Sequence, residues 1–460
     1  MEKQREHWGS KLGFIMAAAG SAIGLGTLWK FPYVTGENGG GAFVFVYILC
    51  TLIIGIPLFI AELLIGRLSQ KGAVATFSTL TYPASPWKIA GWLGVIASFL
   101  IMSYYSVIAG WGLNYILMSL NQFYVGRTPE EIENIFNVLA KSGDISLFWH
   151  FAFTAITVGV VYPGIRNGIE YWSKRVTTLL LIIVVGLFLH NTTLDGFSQT
   201  VHFLFSPDMS KLKPSGMLEA LGLSLFTLSL GQGIMITYGS YMRREDNLPK
   251  TAFIVTAMVL VVAILCAFAI FPVMFSFNRP PQAGFGLVFK TVPILFSQLP
   301  GALFISTTFF TLFVFTALTS SIALVEVVVA SMIDLFGWTR KKAALIVGAA
   351  TFTVGIPSAL SGTNILFGNW TTLYGKTFFE TVDLFASIWL LPLCALLTAI
   401  FTGWRLDQTI LRQEFSCETQ SMWFFKPWRF LIRWIVPAAI ILILLQHTGC
   451  VNIDSLFQRT

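Results

Sequence analysis

Two glycine-rich interruptions in otherwise apolar helices carry most of the chemistry available to this sequence. Residues 16–32, MAAAGSAIGLGTLWKFP, hold Gly20, Gly24 and Gly26 ahead of Trp29, Lys30 and Pro32. Each glycine weakens a helix by roughly 1 kcal/mol relative to alanine. A helix in lipid must satisfy its own backbone hydrogen bonds. A break therefore frees carbonyls and amides at mid-depth, which is useful where something polar binds. Close helix packing through small residues is the plainer reading of this stretch alone. Residues 225–241, LFTLSLGQGIMITYGSY, repeat the pattern, with Gly231 and Gly233 flanking Gln232. A third stretch reads Thr316-Ala317-Leu318-Thr319-Ser320-Ser321. Hydroxyls in a membrane helix often bond back to the preceding turn. Beside freed carbonyls, however, Thr319 and Ser320 would complete an all-oxygen cage. Such a cage suits a hard cation of low charge, sodium rather than a transition metal, which would ask for His or Cys.

Ionisable groups at membrane depth are costly and usually functional. Lys30 closes the first apolar stretch, and Asp383, after Glu380, opens the tenth on the same side. They could pair as an outer gate, or Lys30 could snorkel to the interface. Arg5 and Trp8 precede the first stretch and Asp334 ends the eighth, which offers a matching inner gate. Glu62, in IPLFIAELLIG, is too short and too deep to snorkel. It is expected to accept hydrogen bonds from backbone amides freed by the breaks. Glu326 is under the same constraint, and the sequence names no partner for it.

The elements that must position these groups are membrane helices. Hydrophobic residues make up 55% of the 460 and charged residues 11%, against about 25% charged in soluble chains. Spans of about 20 apolar residues fit at 12–35, 41–66, 89–123, 147–164, 173–190, 216–241, 251–277, 302–336, 342–360, 377–404 and 428–447. The expected fold is an all-α polytopic membrane protein, a single domain over residues 1–460 with eleven transmembrane helices. Lys and Arg concentrate in alternate connections, such as Arg67, Lys71 and Lys88 or Arg340, Lys341 and Lys342. The positive-inside rule then puts the N-terminus inside and the C-terminus outside. Arg279 and Arg459 are among the scattered basic residues outside, and Lys3 lies inside. This placement accounts for the net charge of +7 without nucleic acid. The polar start MEKQREHW is not expected to be a cleaved signal peptide. The cysteines lack metal spacing, and Cys50, Cys266, Cys394 and Cys450, in or beside apolar segments, read as buried thiols, with Cys417 apart.

Spans 1 and 6 are both interrupted. Spans 1–5 (12–190) and 6–10 (216–404) then form two five-helix halves of opposite topology, with span 11 (428–447) additional. Interrupted helices at matching places in inverted halves are the best sequence pointer to a transporter binding site. Two outer connections are long. Residues 126–146 carry Glu130, Glu131 and Glu133 after Thr128-Pro129, a helix start. Residues 278–300 are half apolar and read either as a re-entrant hairpin or as an interfacial loop.

The stretches HWGSKLGFIMAAAGSAIGLGTLWKFPY, ENGGGAFVFVY, GIPLFIAELLIGR, SYYSVIAGW, FTLSLGQGIMITYGSY and ALTSSIAL lie in order across spans 1, 2, 3, 6 and 8. Through them the chain resembles the neurotransmitter:sodium symporter family in its bacterial amino-acid-transporting branch. The resemblance implies alternating access, a zwitterionic amino acid between spans 1, 3, 6 and 8, and sodium as the coupling ion. A well-kept sodium site would use carbonyls of Gly20, Ile23 and Thr316 and hydroxyls of Thr319 and Ser320. The substrate carboxylate would meet the amides near Leu25 and Gly26 and the Tyr105 hydroxyl, where helix amides and dipole suit an anion. Its ammonium would meet carbonyls near Ala22, Phe226 and Thr227, and Ser229. Ile101, Phe226, Gln232, Ser320 and Leu324 would surround its side chain, with Phe226 and Tyr105 as an aromatic lid. Arg5, Trp8, Tyr241 and Asp334 would form the inner gate; Lys30 and Asp383 the outer.

The departures are equally informative. The family's other sodium site commonly has Asn where this chain has Thr27, plus a polar residue from span 7. Here span 7 offers Met258, Val259 and Leu260, none with a side-chain oxygen. Only Ala22, Thr27 and Thr227, with the substrate carboxylate, remain, so this site is expected to be weakened or lost. Leu223 and Ala263 stand near the polar places of chloride-dependent members, beside Tyr47 and Thr227, which argues against chloride. Lys30 replaces an arginine and loses the planar fork. Gln232 hints at a substrate with a hydrogen-bonding side chain, unless it bonds the broken backbone. Other functions compete. Proton coupling would run through Glu62, Glu326 or Asp383. An enzyme would need a clustered nucleophile or acid–base pair, and the five histidines are scattered near span ends. A sensor would need a signalling domain. The chain is expected to lie in a bacterial inner membrane.

Overall fold

A computed structural model describes residues 5–278, 286–363, 365–416, 422–451 and 453–454, without the side chains of 416, 422 and 423. Lys3, Arg279, Cys417 and Arg459 lie outside the described residues. The described residues are helical, with no strand. Among the described residues, nine helices are long and apolar enough to cross a membrane: Gly41–Ser69, Lys88–Leu120, Gly143–Val161, Ile165–Asn191, Leu248–Ser276, Ala302–Phe336, Arg340–Ala359, Phe378–Arg405 and Phe424–His447. Span 1 is the bent pair Lys11–Ala22 and Gly26–Glu37, kinked by 50°. Span 6 is Pro214–Thr227 followed by Ile234–Gly239. Each half of span 6 is too short to cross alone, and together with the rest they make the eleven expected spans.

The boundaries follow the charges. Span 5 starts at Ile165, eight residues earlier than hydropathy suggests, because the charge of Glu170 is satisfied. Glu170 accepts from the Gly9 amide at 2.6 Å and the Ser10 hydroxyl at 2.8 Å, and pairs with Lys174 at 2.7 Å. The helix continues through a residue that hydropathy alone would exclude. In the outer connection, Pro129–Lys141 is a helix with a full capping box between Thr128 and Glu131. Residues Leu287–Thr291 and Val292–Ser297 form a short helix whose Phe289 carbonyl accepts from Tyr115 at 2.8 Å. Phe289 stacks on Phe136 of the capped helix, centroids 5.2 Å apart. This segment is therefore held by protein on its apolar face rather than spread on lipid.

Span 8 is almost wholly buried and packs along span 3; spans 5 and 11 face outward along most of their length. Span 1 packs on spans 5, 7 and 8, and the two halves of span 2 pack on the two halves of span 6. That last contact is backbone to backbone: a Cβ on Gly66 would lie 2.0 Å from the Ile236 carbonyl oxygen. Small residues thus do serve packing here, but in span 2. At the inner ends, Arg67 is fully buried and binds the Glu414 carboxylate (2.5 Å) and carbonyl (2.7 Å). Span 11 is pinned to span 2 where buried Trp428 donates to the Pro57 carbonyl at 2.9 Å. Among the cysteines, Cys266 and Cys394 are buried and Cys50 half-buried, but Cys450 is exposed. Cys450 follows the end of span 11 in a turn, so its apolar neighbourhood in sequence does not cover it in space.

Candidate functional site

The first helix stops where the glycines predict. Ala22 is its last residue, and Ile23 leaves the helix at φ −82°, ψ 75°. A helix end leaves carbonyls without intrahelical partners. Among the described residues, no backbone amide outside the helix returns to the carbonyl of Gly20 or Ile23, whereas that of Gly24 accepts from Thr27 and Leu28. The break in span 6 is sharper. Ser229, Gly231 and Gly233 all sit at positive φ, 55°, 72° and 71°, where only glycine is comfortable. Glu62 braces it, accepting the Gly231 amide at 2.8 Å. Ser98 of span 3 donates to the Gln232 carbonyl at 2.7 Å. The two breaks are joined through one atom: the Ser21 carbonyl accepts from Ser229 at 2.9 Å and from Ser320 at 2.8 Å.

All eleven residues assigned to the substrate from sequence line one cavity at this junction, together with Ser21, Gly24 and Ile234, and the cavity among them is small, about 20 Å³. The Leu25 amide lies 3.1 Å from the Tyr105 hydroxyl. These two groups bond each other here, and both are donors that a carboxylate could take. Gly24 is required by close approach, since a Cβ there would lie 2.4 Å from Ser320 Oγ and 3.1 Å from Tyr105 Oη. At Gly26 a Cβ would meet the Phe226 ring at 2.7 Å. Ile101 and Leu324 bring apolar surface to the cavity and Gln232 brings the one primary amide. No bond from that amide to the broken backbone is present among the described residues.

Some of the oxygen groups expected to cage a cation are brought together. A Cβ on Gly20 would lie 3.2 Å from Thr319 Cβ, so Thr319 faces the end of the first helix. Its hydroxyl donates to the Thr316 and Phe315 carbonyls, both at 3.1 Å. A hydroxyl whose proton is turned away keeps lone pairs for a cation. Ser320 instead turns its oxygen to Ser21, on the substrate side. Thr177 of span 5 was not legible as a neighbour. Its hydroxyl donates to the Met16 carbonyl at 3.1 Å, and a Cβ on Gly20 would lie 2.4 Å from it. Around the other sodium position, Thr27 donates to the Ala22 carbonyl at 3.2 Å, and Val259 is fully buried. Thr227 lies 2.8 Å from the Tyr47 hydroxyl and donates to the Leu223 carbonyl at 2.9 Å.

The residues expected to form an inner gate are brought together through charged groups. Arg5 pairs with Asp334 at 2.7 Å, donates to Ser240 at 2.7 Å and lies 4.7 Å from the Tyr241 ring centre. Trp8 donates to the Tyr238 carbonyl at 3.1 Å. Glu326 has the partners that sequence could not name. Arg340 of span 9 pairs with it, and Tyr241 donates to it at 2.5 Å. The signal was hidden because Arg340-Lys341-Lys342 also reads as an ordinary positive-inside loop. On the outer side, Lys30 and Asp383 line a common space above Phe226 but do not pair. Lys30 lies 5.0 Å over the Phe226 ring, and Asp383 accepts from Tyr104 at 2.7 Å. The two residues expected to form an outer gate are therefore engaged separately in this structure, Lys30 on the Phe226 ring and Asp383 by Tyr104.

The sequence model of the Sodium:neurotransmitter symporter family matches residues 5–127 and 129–458. An uncharacterized sodium-dependent transporter of Bacillus subtilis, YhdH, is 38% identical over 454 residues, covering 98% of this chain and 99% of the relative. A second, from Haemophilus influenzae, is 34% identical over 97% of this chain and 98% of the relative. Among solved structures, the crystal structure of MhsT in complex with L-phenylalanine matches with a TM-score of 0.88 and 40% identity. It covers 96% of this chain and 99% of that one.

Proposed function

The chain belongs to the Sodium:neurotransmitter symporter family, whose members are membrane transporters and not enzymes, and from that premise we propose that it takes up a neutral amino acid by sodium-coupled alternating access. The observation that carries this reading is the single cavity at the two breaks, which gathers every residue assigned to the substrate from sequence. The Leu25 amide and Tyr105 hydroxyl take the carboxylate, and the carbonyls near Ala22, Phe226 and Thr227, with Ser229, take the ammonium. MhsT holds L-phenylalanine. The largely apolar walls here suit a substrate with an apolar body, for which the small cavity would have to widen, and the free amide of Gln232 favours one that also carries a hydrogen-bonding group. The halves are residues 12–190 and 216–404, with 428–447 outside the repeat. The chain sits in a bacterial inner membrane with its N-terminus cytoplasmic and C-terminus outside.

Sodium at Gly20, Ile23, Thr316, Thr319 and Ser320 is the coupling ion, and the Ala22–Thr27–Thr227 position is weakened. Buried Val259 brings no oxygen to it, and the Thr227 oxygen is already engaged by Tyr47 and Leu223. The same two bonds argue against chloride. Tyr47 and Thr227 bond each other and Thr227 donates on to the Leu223 carbonyl, so these two hydroxyls are engaged with protein rather than turned to an anion. Uptake of a labelled amino-acid panel into proteoliposomes, with sodium, potassium and pH gradients imposed separately, tests this. Sodium alone should drive uptake, with a Hill slope near one and no change when gluconate replaces chloride. A slope near two would restore the second sodium. Accumulation driven by pH and indifferent to sodium would replace the reading with proton coupling through Glu62, Glu326 or Asp383. Gln232→Leu should shift preference toward purely apolar side chains.

A further inference from the structure

Spans 10 and 11 meet at their basic ends in a cradle that the transport site does not use. The helices touch through backbone, since a Cβ on Gly403 would lie 2.9 Å from Arg433 Cα. Trp404 donates its indole N–H to the Arg433 carbonyl at 3.0 Å. The Trp404 and Trp434 rings meet edge-on, centroids 4.6 Å apart. The Arg433 guanidinium lies 4.1 Å from the Trp404 ring centre and 5.6 Å from that of Trp434. Arg429 stands one turn earlier on the same face of the helix. Arg429 Nη1 and Arg433 Nε are buried, and neither has a hydrogen-bond partner among the described residues. Neither arginine forms an ion pair among those residues. Asp407 is the acid that acts on Arg429, and its Oδ1 is engaged by the Thr409 amide at 2.6 Å.

Two guanidinium groups one turn apart repel each other, and buried donors without acceptors are costly. Both problems are removed by one anion. The level of the site says which kind. Trp404 and Trp434 are 48% and 51% exposed, and tryptophan with arginine at a span end marks the headgroup layer. A phosphodiester offers paired oxygens to a guanidinium fork, and basic pockets between helix ends at this level suit anionic headgroups. We propose that Arg429, Arg433, Trp404 and Trp434 hold the phosphate of an anionic phospholipid in the leaflet that faces the basic loops. The proposal depends on membrane embedding alone and is independent of the substrate and of sodium.

Native mass spectrometry of the purified full-length protein with phosphatidylglycerol or phosphatidylcholine added tests it. Wild type should retain phosphatidylglycerol in preference. In R429Q/R433Q that affinity should fall about thirtyfold, from roughly fivefold per basic residue at an anionic surface. K341Q/K342Q, at another basic end, should bind as wild type does. Thermal stability of wild type alone gives a check that needs no variant: phosphatidylglycerol should raise it and phosphatidylcholine should not. Equal retention of the two lipids by wild type, or unchanged phosphatidylglycerol retention in R429Q/R433Q, overturns the proposal. Stabilisation by inorganic phosphate with no preference between lipids overturns the lipid assignment in favour of a free anion.

Discussion

At the scale of single residues, Gly24 separates packing from binding. Its missing side chain leaves room for Ser320 Oγ, 2.4 Å from where a Cβ would sit, and Ser320 in turn donates to Ser21. An alanine there pushes one short hydroxyl side chain rather than a helix. Overpacking of this kind costs about 1–3 kcal/mol, and here the cost falls on the cavity wall. Gly24→Ala should therefore weaken amino-acid binding by about five- to 150-fold while thermal stability changes little. Unchanged affinity in a scintillation binding assay would show that this close approach is not needed for binding. Residues of this kind were legible in sequence because the dense glycines of span 1 recur at the matching place in span 6, which packing alone does not require. Lys30 and Asp383 have other partners in this structure for a physical reason. Opposite charges on one side of a membrane suggest an ion pair, but an aromatic face and a tyrosine hydroxyl compete for them, and sequence spacing does not rank those partners.

At the scale of elements, the break in span 6 is a set of backbone conformations, and it should fail as one. Gly231 is at φ 72°, and a Cβ there would lie 2.3 Å from the Leu391 carbonyl oxygen. An alanine pays about 1–2 kcal/mol for the left-handed conformation and meets backbone that cannot rotate away. Gly231→Ala should lower stability by about 2–5 kcal/mol in all, the conformational and overpacking terms together. Gly186 is the control. It lies inside the helix of span 5, and a Cβ there meets nothing within 4 Å. Gly186→Ala should leave stability unchanged or raise it by up to about 1 kcal/mol. Equal melting temperatures for the two variants in detergent would remove the argument that span 6 is held open by its glycines. Elements were the most legible scale. Long apolar runs place a span within a few residues, and the exceptions arise where a charge is satisfied by tertiary contacts. Glu170 is such a case, since Gly9, Ser10 and Lys174 neutralise it from both sides of the chain. Span 6 shows the converse, because its helix ends at Thr227 although apolar residues continue.

At the scale of the whole molecule, two charged groups of contacts that share Tyr241 bridge the N-terminal segment and spans 6, 8 and 9. Arg5 and Asp334 tie the N-terminal segment to span 8, and Glu326 and Arg340 tie span 8 to span 9. Tyr241, at the end of span 6, bonds Glu326 and lies under Arg5. The N-terminal segment and spans 6 and 8 therefore meet at this tyrosine. Sequence named the first pair and missed the second, because partners in different helices leave no spacing to read. The two groups should also behave differently when cut. Glu326 is fully buried, so removing Arg340 leaves a carboxylate with only a tyrosine hydroxyl for support. Breaking a buried pair in this way costs about 3–5 kcal/mol. Arg340→Gln should lower stability by that order, and E326Q/R340Q should recover most of it, because no unpaired charge remains. Arg5 and Asp334 are partly exposed to water, at 13% and 8% of their side-chain surface. Asp334→Asn should then cost little stability and mainly shift the population toward an inward-open state. A charge-assisted bond of about 1.5–3 kcal/mol corresponds to a shift of roughly 10- to 150-fold. Thiol labelling of a cysteine introduced at Ala330, which lines the inner cavity, reads that population in a background without native cysteines. Faster labelling in Asp334→Asn at an unchanged melting temperature is the expected result. Equal labelling with a lowered melting temperature would make the Arg5–Asp334 pair a stability element and leave Glu326 and Arg340 as the gate.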